Sequence, residues 1–199
     1  LSGGTDTIDL SATAGWSITL DLSSTAPQTV TPSLTLTLPA GNVIENILGG
    51  SRDDTLTGNN LDNVIEGGAG DDLIEGRNGD DSLAGGTGSD TYRYAADTLG
   101  GHHEIVEDAD ADTELIDYTG TTVDLSLDLS DNASQAVTVA FSITLSDPNG
   151  IENLYGGTGN DTLAGNARDN VIWGREGNDD LDGGADGYDT LLEERAGNW

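Results

Sequence analysis

Nine residues with oxygen-bearing side chains recur along this chain at intervals of nine. They are Asp54, Asn63, Asp72, Asp81 and Asp90, then Asp161, Asn170, Asp179 and, after one inserted residue, Asp189. Carboxylate and amide oxygens are hard ligands, and the loops that carry them hold no histidine or cysteine. Such a set selects calcium over zinc or copper. Each residue is sixth in a nonapeptide. The first block reads GGSRDDTLT, GNNLDNVIE, GGAGDDLIE, GRNGDDSLA, GGTGSDTYR, and the second GGTGNDTLA, GNARDNVIW, GREGNDDLD, GGADGYDTLL. The shared pattern is G-G-x-G-x-D-x-U-x, where U is a large apolar residue.

That pattern dictates its own local structure. Glycines at positions 1, 2 and 4 allow positive φ and a tight turn, and x-U-x is a short strand with one inward side chain. The inward set is Leu56, Ile65, Ile74, Leu83 and Tyr92, then Leu163, Ile172, Leu181 and Leu191. Burying each contributes about 1.5–3 kcal/mol, a small sum for nine residues of chain. Two nonapeptides make a flattened coil, and coils stack at about 4.8 Å. Asp54, Asp72 and Asp90 then share one edge, with Asn63 and Asp81 on the other. Stacked carboxylates repel until cations enter between turns, where freed carbonyls complete the shell.

The expected inventory is about five calcium ions, at Asp54/Asp72, Asp72/Asp90, Asn63/Asp81, Asp161/Asp179 and Asn170/Asp189. Five would bring the formal net charge from -31 to about -21. The two asparagine sites should be weaker, because the amide keeps an oxygen and loses the charge. Arg52, Leu61 and Arg168 stand at position 4, so those turns cannot all use the glycine conformation. The insertion at Asp186 either adds a ligand or spoils the last turn.

With several units in register, the chain resembles the RTX, or haemolysin-type, calcium-binding repeat family. Gly67–Glu75, Gly85–Arg93, Gly156–Ala164 and, apart from Arg77, Gly76–Ala84 carry the resemblance most closely, and directly it covers less than half of the chain. It implies an all-β fold, a right-handed parallel β-roll of calcium-binding nonapeptides. It also implies type I secretion from a Gram-negative bacterium and calcium-triggered folding outside the cell. The C-terminal export signal typical of the family is not recognisable at Glu193–Trp199.

A larger repeat encloses the small one. Thr7-Ile8-Asp9-Leu10-Ser11 matches Leu115-Ile116-Asp117-Tyr118-Thr119 at an offset of 108, and Glu45-Asn46-Ile47-Leu48 matches Glu152-Asn153-Leu154-Tyr155 at 107. Strict alternation over residues 16–22, 33–38, 123–129 and 137–145 predicts half-buried strands. The expected organisation is therefore a strand-rich leading segment (1–48), a β-roll (49–94), an acidic connector (95–112), a second leading segment (113–155) and a second β-roll (156–199). The connector reads as a solvated linker on charge, or as a degenerate coil on Glu104-Ile105-Val106. The entries Gly3–Asp9 and Ile-Glu-Asn resemble regions that precede β-rolls.

Composition narrows the functions. There are 37 acidic against 6 basic residues, so the chain has no basic patch for nucleic acid or anionic lipid. Low hydrophobicity with high charge predicts substantial disorder without divalent metal. No run is long enough to span a membrane, and no signal peptide is recognisable. Cysteine and methionine are absent, and the opening at Leu1 reads as a fragment, a processed product or a piece of a longer array. His102 and His103 lack HExxH spacing and read as exposed turn residues, with a minor metal site as the other reading. Trp16, Trp173 and Trp199 read as packing or cap residues. No catalytic constellation appears, so an enzyme is not expected. The leading reading is a structural or adhesive, calcium-stiffened segment of a secreted or cell-surface bacterial protein. The alternatives are the noncatalytic C-terminal module of a secreted metalloprotease or lipase, and an ice-binding array. Open roll ends predict homotypic end-to-end association or a fibre.

Overall fold

One inward side chain per nonapeptide makes each repeat a single rung, so a core can form only where rungs stack. The computed structural model describes residues 4–40, 43–107 and 111–194, and among these every regular element is a strand. Unit 1 contributes β1 (Thr7–Asp9), β2 (Thr19–Asp21), β3 (Gln28–Thr31), β4 (Leu34–Leu36), β5 (Asn46–Leu48), β6 (Thr55–Thr57), β7 (Val64–Ala69), β8 (Leu73–Glu75), β9 (Asp81–Thr87), β10 (Thr91–Arg93) and β11 (Gly101–Ile105). Unit 2 contributes β12 (Leu115–Asp117), β13 (Ser126–Asp128), β14 (Gln135–Ala136), β15 (Phe141–Leu145), β16 (Asn153–Tyr155), β17 (Thr162–Ala164), β18 (Val171–Glu176), β19 (Asp180–Asp182) and β20 (Thr190–Glu194).

The nonapeptide strands alternate between two facing sheets and pair in parallel with the strand one coil away. One sheet has the order β1-β5-β7-β9-β11-β15-β14, the other β2-β6-β8-β10-β12-β16-β18-β20. Beyond β14 the first face is continued by a three-stranded sheet, β13-β17-β19, and β3-β4 form a separate hairpin. Register aligns the rungs. Ile47, Ile65, Leu83 and Ile105 are successive partners on one side, and Leu56, Ile74, Tyr92, Ile116, Leu154 and Ile172 on the other. All of these are buried to 1% exposure or less. This is an all-β parallel β-roll.

The leading segments are built into the stack. Ile18, Leu20 and Leu22 are buried beside β6, and Leu125, Leu127 and Leu129 beside β17. Residues 137–145, which alternate without a break, do not make one strand. Ser126 N donates to Val137 O and Thr138 N to Phe141 O, a turn that leaves Val139 fully exposed between β14 and β15. Within the acidic connector, Gly101–Ile105 is a strand paired to β9 and β15, with His103 opposite Asp81. Residues 98–106 therefore occupy one nonapeptide, with His103 at position 6 and Ile105 at position 8. Gly3, residues 108–110 of the connector and Trp199 lie outside the described residues.

The inward set frays at the C-terminal end. Leu181 is half-buried and Leu191 is 45% exposed, because among the described residues no strand pairs with the outer edges of β19 and β20. Ile65→Ala is expected to lower unfolding stability in saturating calcium by about 2–5 kcal/mol, the usual cost of a buried large-to-small change. Leu191→Ala should cost under about 1 kcal/mol, in keeping with its exposure. Chemical denaturation of both variants checks the difference.

Candidate metal centre

Each position-6 aspartate ties its turn to the segment one coil earlier, and Asp54 and Asp161 also close their own turns, accepting from Gly50 N at 2.7 Å and Gly157 N at 2.9 Å. Asp72 Oδ1 accepts from Asp54 N at 2.7 Å, and Asp90 Oδ1 from Asp72 N at 2.7 Å. Asp81 Oδ1 accepts from Asn63 N at 2.8 Å, Asp179 Oδ1 from Asp161 N at 2.9 Å and Asp189 Oδ1 from Asn170 N at 3.0 Å. The first aspartate of each block reaches into the leading segment, Asp54 Oδ1 to Ile18 N and Asp161 Oδ1 to Leu125 N. The seven bonds between coils order the columns anticipated from spacing. Asp54, Asp72, Asp81, Asp90, Asp161, Asn63 and Asn170 are buried, Asp179 is half-buried and Asp189 is exposed.

The second carboxylate oxygen decides whether a cation fits. Asp72 Oδ2, Asp90 Oδ2 and Asp179 Oδ2 are buried without a hydrogen-bond partner, the expensive condition for a charged oxygen. Each faces the position-1 glycine of its own repeat. A Cβ on Gly67 would stand 2.2 Å from Asp72 Oδ2 and 2.7 Å from Gly85 O, one on Gly85 2.1 Å from Asp90 Oδ2, and one on Gly174 2.4 Å from Asp179 Oδ2. Orphaned carboxylate oxygens and turn carbonyls thus converge where calcium would find its oxygen shell. The residues present fit the ion at Asp54/Asp72, Asp72/Asp90 and Asp161/Asp179.

The glycines divide this labour differently from expectation. Positive φ falls on positions 2 and 4, as at Gly68 (113°) and Gly70 (112°), and not on position 1. Position 1 is glycine to leave room for the carboxylate. At position 2, Arg77 (74°) and Arg175 (69°) adopt the left-handed conformation that glycine adopts in other repeats. Their guanidinium groups reach back to the leading segments, Arg77 to Asp21 at 3.0 Å and Arg175 to Thr119 O at 2.7 Å.

The asparagine repeats are built another way. Asn63 Oδ1 accepts from Asn59 N at 2.8 Å, and its Nδ2 donates to Glu45 O at 2.8 Å. Asn170 repeats this, with Asn166 N at 2.8 Å and Glu152 O at 2.9 Å. Position-2 asparagines complete the turn. Asn59 Oδ1 accepts from Leu61 N and Asn166 Oδ1 from Arg168 N, so position 4 needs no glycine. Each position-2 amide also donates 2.7 Å to the isoleucine carbonyl of the Ile-Glu-Asn entry, Ile44 or Ile151. At Asn63 and Asn170 side-chain amide donors therefore tie each turn to the entry one coil earlier, on the side away from Asp81 and Asp189. Their partners differ as well, because Asp81 Oδ2 faces His103 Nε2 at 2.9 Å, off the line of a hydrogen bond, and Asp189 is exposed.

His103 is the residue that sequence reasoning misplaced. It is fully buried, in contact with the rings of Tyr94 and Phe141. Only His102 keeps partial exposure, its ring nitrogens 3.0 Å from Ser142 Oγ and 3.1 Å from Thr144 Oγ1. The signal was the run Gly-Gly-His-His-Glu-Ile-Val, which keeps positions 4 and 8 of a repeat. Trp16 is exposed, and Trp173 packs edge-on against Tyr155 beneath the Arg175 guanidinium.

Burial, reinforced by neighbouring carboxylates, pushes Asp72 and Asp90 up to about 7 and raises Asp54, Asp81 and Asp161. A carboxylate raised in the folded state binds protons more tightly there than when unfolded. Its favourable contribution is complete below the unfolded value near 4 and is lost as pH rises to about 7. In excess chelator residual β-structure should therefore be greatest near about pH 5 and be lost as pH rises towards about 8. In saturating calcium the folded state should instead be weakened on acidification, as protons compete with metal. Circular dichroism at both ends of the range, with and without calcium, checks the reversal. Calorimetric titration of Asp72→Ala should lose about two ions relative to the parent, and Asn63→Ala none.

No curated protein matches the chain. Four copies of the RTX calcium-binding nonapeptide repeat do match, over residues 40–60, 57–92 and 155–191. These ranges hold every aspartate whose orphaned oxygen faces a position-1 glycine. The two blocks are RTX calcium-binding nonapeptide repeats.

Proposed function

We propose that the chain is a calcium-stiffened structural segment of a secreted or cell-surface bacterial protein, noncatalytic and organised as tandem links. The observation that carries this reading is the junction between the two units. There β12 pairs with β10 and β15 with β11, so the stacked strands of one unit continue directly into those of the next. Tyr94, Tyr118, Phe141 and His103 fill the seam with aromatic contacts. A segment that serves only to fold or export a neighbouring enzyme has no use for such continuity. A load-bearing or spacing element does.

Calcium supplies the cross-link between turns that cysteine-free coils lack. Outside the cell it is abundant, and the metal-free chain, at a formal net charge of -31, is strongly self-repelling. Folding is thereby delayed until the ion is met. Among the described residues no helix is long and apolar enough to cross a membrane.

Circular dichroism during calcium titration of chelator-treated protein tests the proposal. The expected outcome is a cooperative gain of β-structure as the Asp/Asp turns fill. A chain already fully folded in excess chelator would defeat it.

A further inference from the structure

The two rows of position-6 residues do not reach the seam between the units in the same way. In one row Asp54, Asp72 and Asp90 follow one another, and each adds a carboxylate. In the other, Asn63 and Asp81 are followed by His103 and then by the buried Ile143. Asp72 therefore has carboxylates on both sides. Asp81 has an amide on one side and an imidazole on the other.

The corner beside each carboxylate differs to match. At Gly67 an added Cβ meets Asp72 Oδ2 and, from the next coil, the Gly85 carbonyl oxygen at 2.7 Å. At Gly76 it meets Asp81 Oδ2 at 2.4 Å and, from the next coil, His103 Cε1 at 3.0 Å. An imidazole edge stands where the calcium edge presents an oxygen. Tyr92 is the partner of Ile74, which puts Tyr94 one coil on from Gly76, at a position that the aspartate turns reserve for glycine. The Tyr94 ring is buried with its centroid 5.2 Å from that of Phe141, and Phe141 stands edge-on to His103 at 4.9 Å. Ring carbons offer a hard cation no ligands.

A buried carboxylate needs a partner that donates a hydrogen bond or carries positive charge. Asp81 Oδ2 meets His103 Nε2 at 2.9 Å, and both side chains are fully buried. We propose that His103 takes the place of calcium at Asp81, so that the coil joining the two units is fastened to unit 1 at this corner by a side chain instead of an ion. The exchange falls where the period breaks. Successive coils elsewhere in the row are 18 residues apart, as from Asn63 to Asp81, whereas Asp80 and His102 face each other across 22. Calcium joins whichever oxygen-bearing turns are stacked, so it cannot choose a register. One histidine set against one aspartate fits a single register, the best-attested use of a buried polar pair. His103 thus positions the seam, while the Asp54, Asp72 and Asp90 edge of the same roll is left to the metal.

Counting bound ions tests this directly. Native mass spectrometry of the full 199-residue chain in calcium gives the stoichiometry, with circular dichroism on the same samples to report folding. Asp81→Ala is expected to bind as many ions as the parent, although it melts at a lower temperature. Asp81→Asn, which keeps the shape of the side chain, replaces it if the alanine variant does not fold. His103→Asp sets two carboxylates against each other at this corner and is expected to bind one ion more than the parent. A lost ion in either Asp81 variant shows that this carboxylate holds calcium and overturns the inference. A folded His103→Asp with the ion count of the parent overturns it as well. If His103→Asp fails to fold even in millimolar calcium, the Asp81 variants alone decide.

Discussion

Buried carboxylates stacked one coil apart are the constraint from which the rest of this molecule follows. Two full charges at strand spacing repel by about 3 kcal/mol at an effective dielectric near 20. That equals the gain from burying one inward leucine or isoleucine, about 1.5–3 kcal/mol, which is all the hydrophobic burial a nonapeptide offers. Apolar packing cannot therefore outvote the columns. Either protons or a divalent cation must enter them. The rise of Asp72 and Asp90 toward neutrality and the partnerless oxygens they aim at Gly67 and Gly85 are two faces of that one demand. Position 1 must be glycine for the same reason, since any side chain there would fall on the carboxylate.

Much of this was legible because the signal is periodic. The rungs from Leu56 to Tyr92, the two carboxylate columns and their register follow from counting in nines and stacking in eighteens, and the pairings agree. What escaped lies where period and chemistry part company. Residues 98–106 make a full rung while keeping only the glycine of position 4 and the apolar residue of position 8, so composition pointed to a linker and hid the burial of His103. Leu191 keeps the pattern but not the burial, because inwardness depends on a neighbouring coil and not on the repeat itself.

Asn63 and Asn170 teach a different lesson. Their loss of charge was plain in the sequence, but the use of their amides was not, since it depends on Glu45 and Glu152 arriving one coil earlier. Gly-Asn-x-x-Asp-Asn follows Ile-Glu-Asn once in each unit. The structure explains the association. The second repeat of each block is fastened to its entry strand by neutral side-chain donors, while later repeats leave carboxylate oxygens for metal. Each roll therefore starts on a turn whose side chains are already satisfied and proceeds to turns that are not.

The first block contains five repeats, and a coil uses two. With the rung at residues 98–106 added, β12 enters the sheet of β10 although its counterpart β1 belongs to the sheet of β9. Unit 2 is thus turned over relative to unit 1. Whatever the outer surface of one unit displays, the next displays on the reverse side, and a given side regains its pattern only at every second unit. A long array of this design would be two-sided, like a ribbon printed alternately front and back.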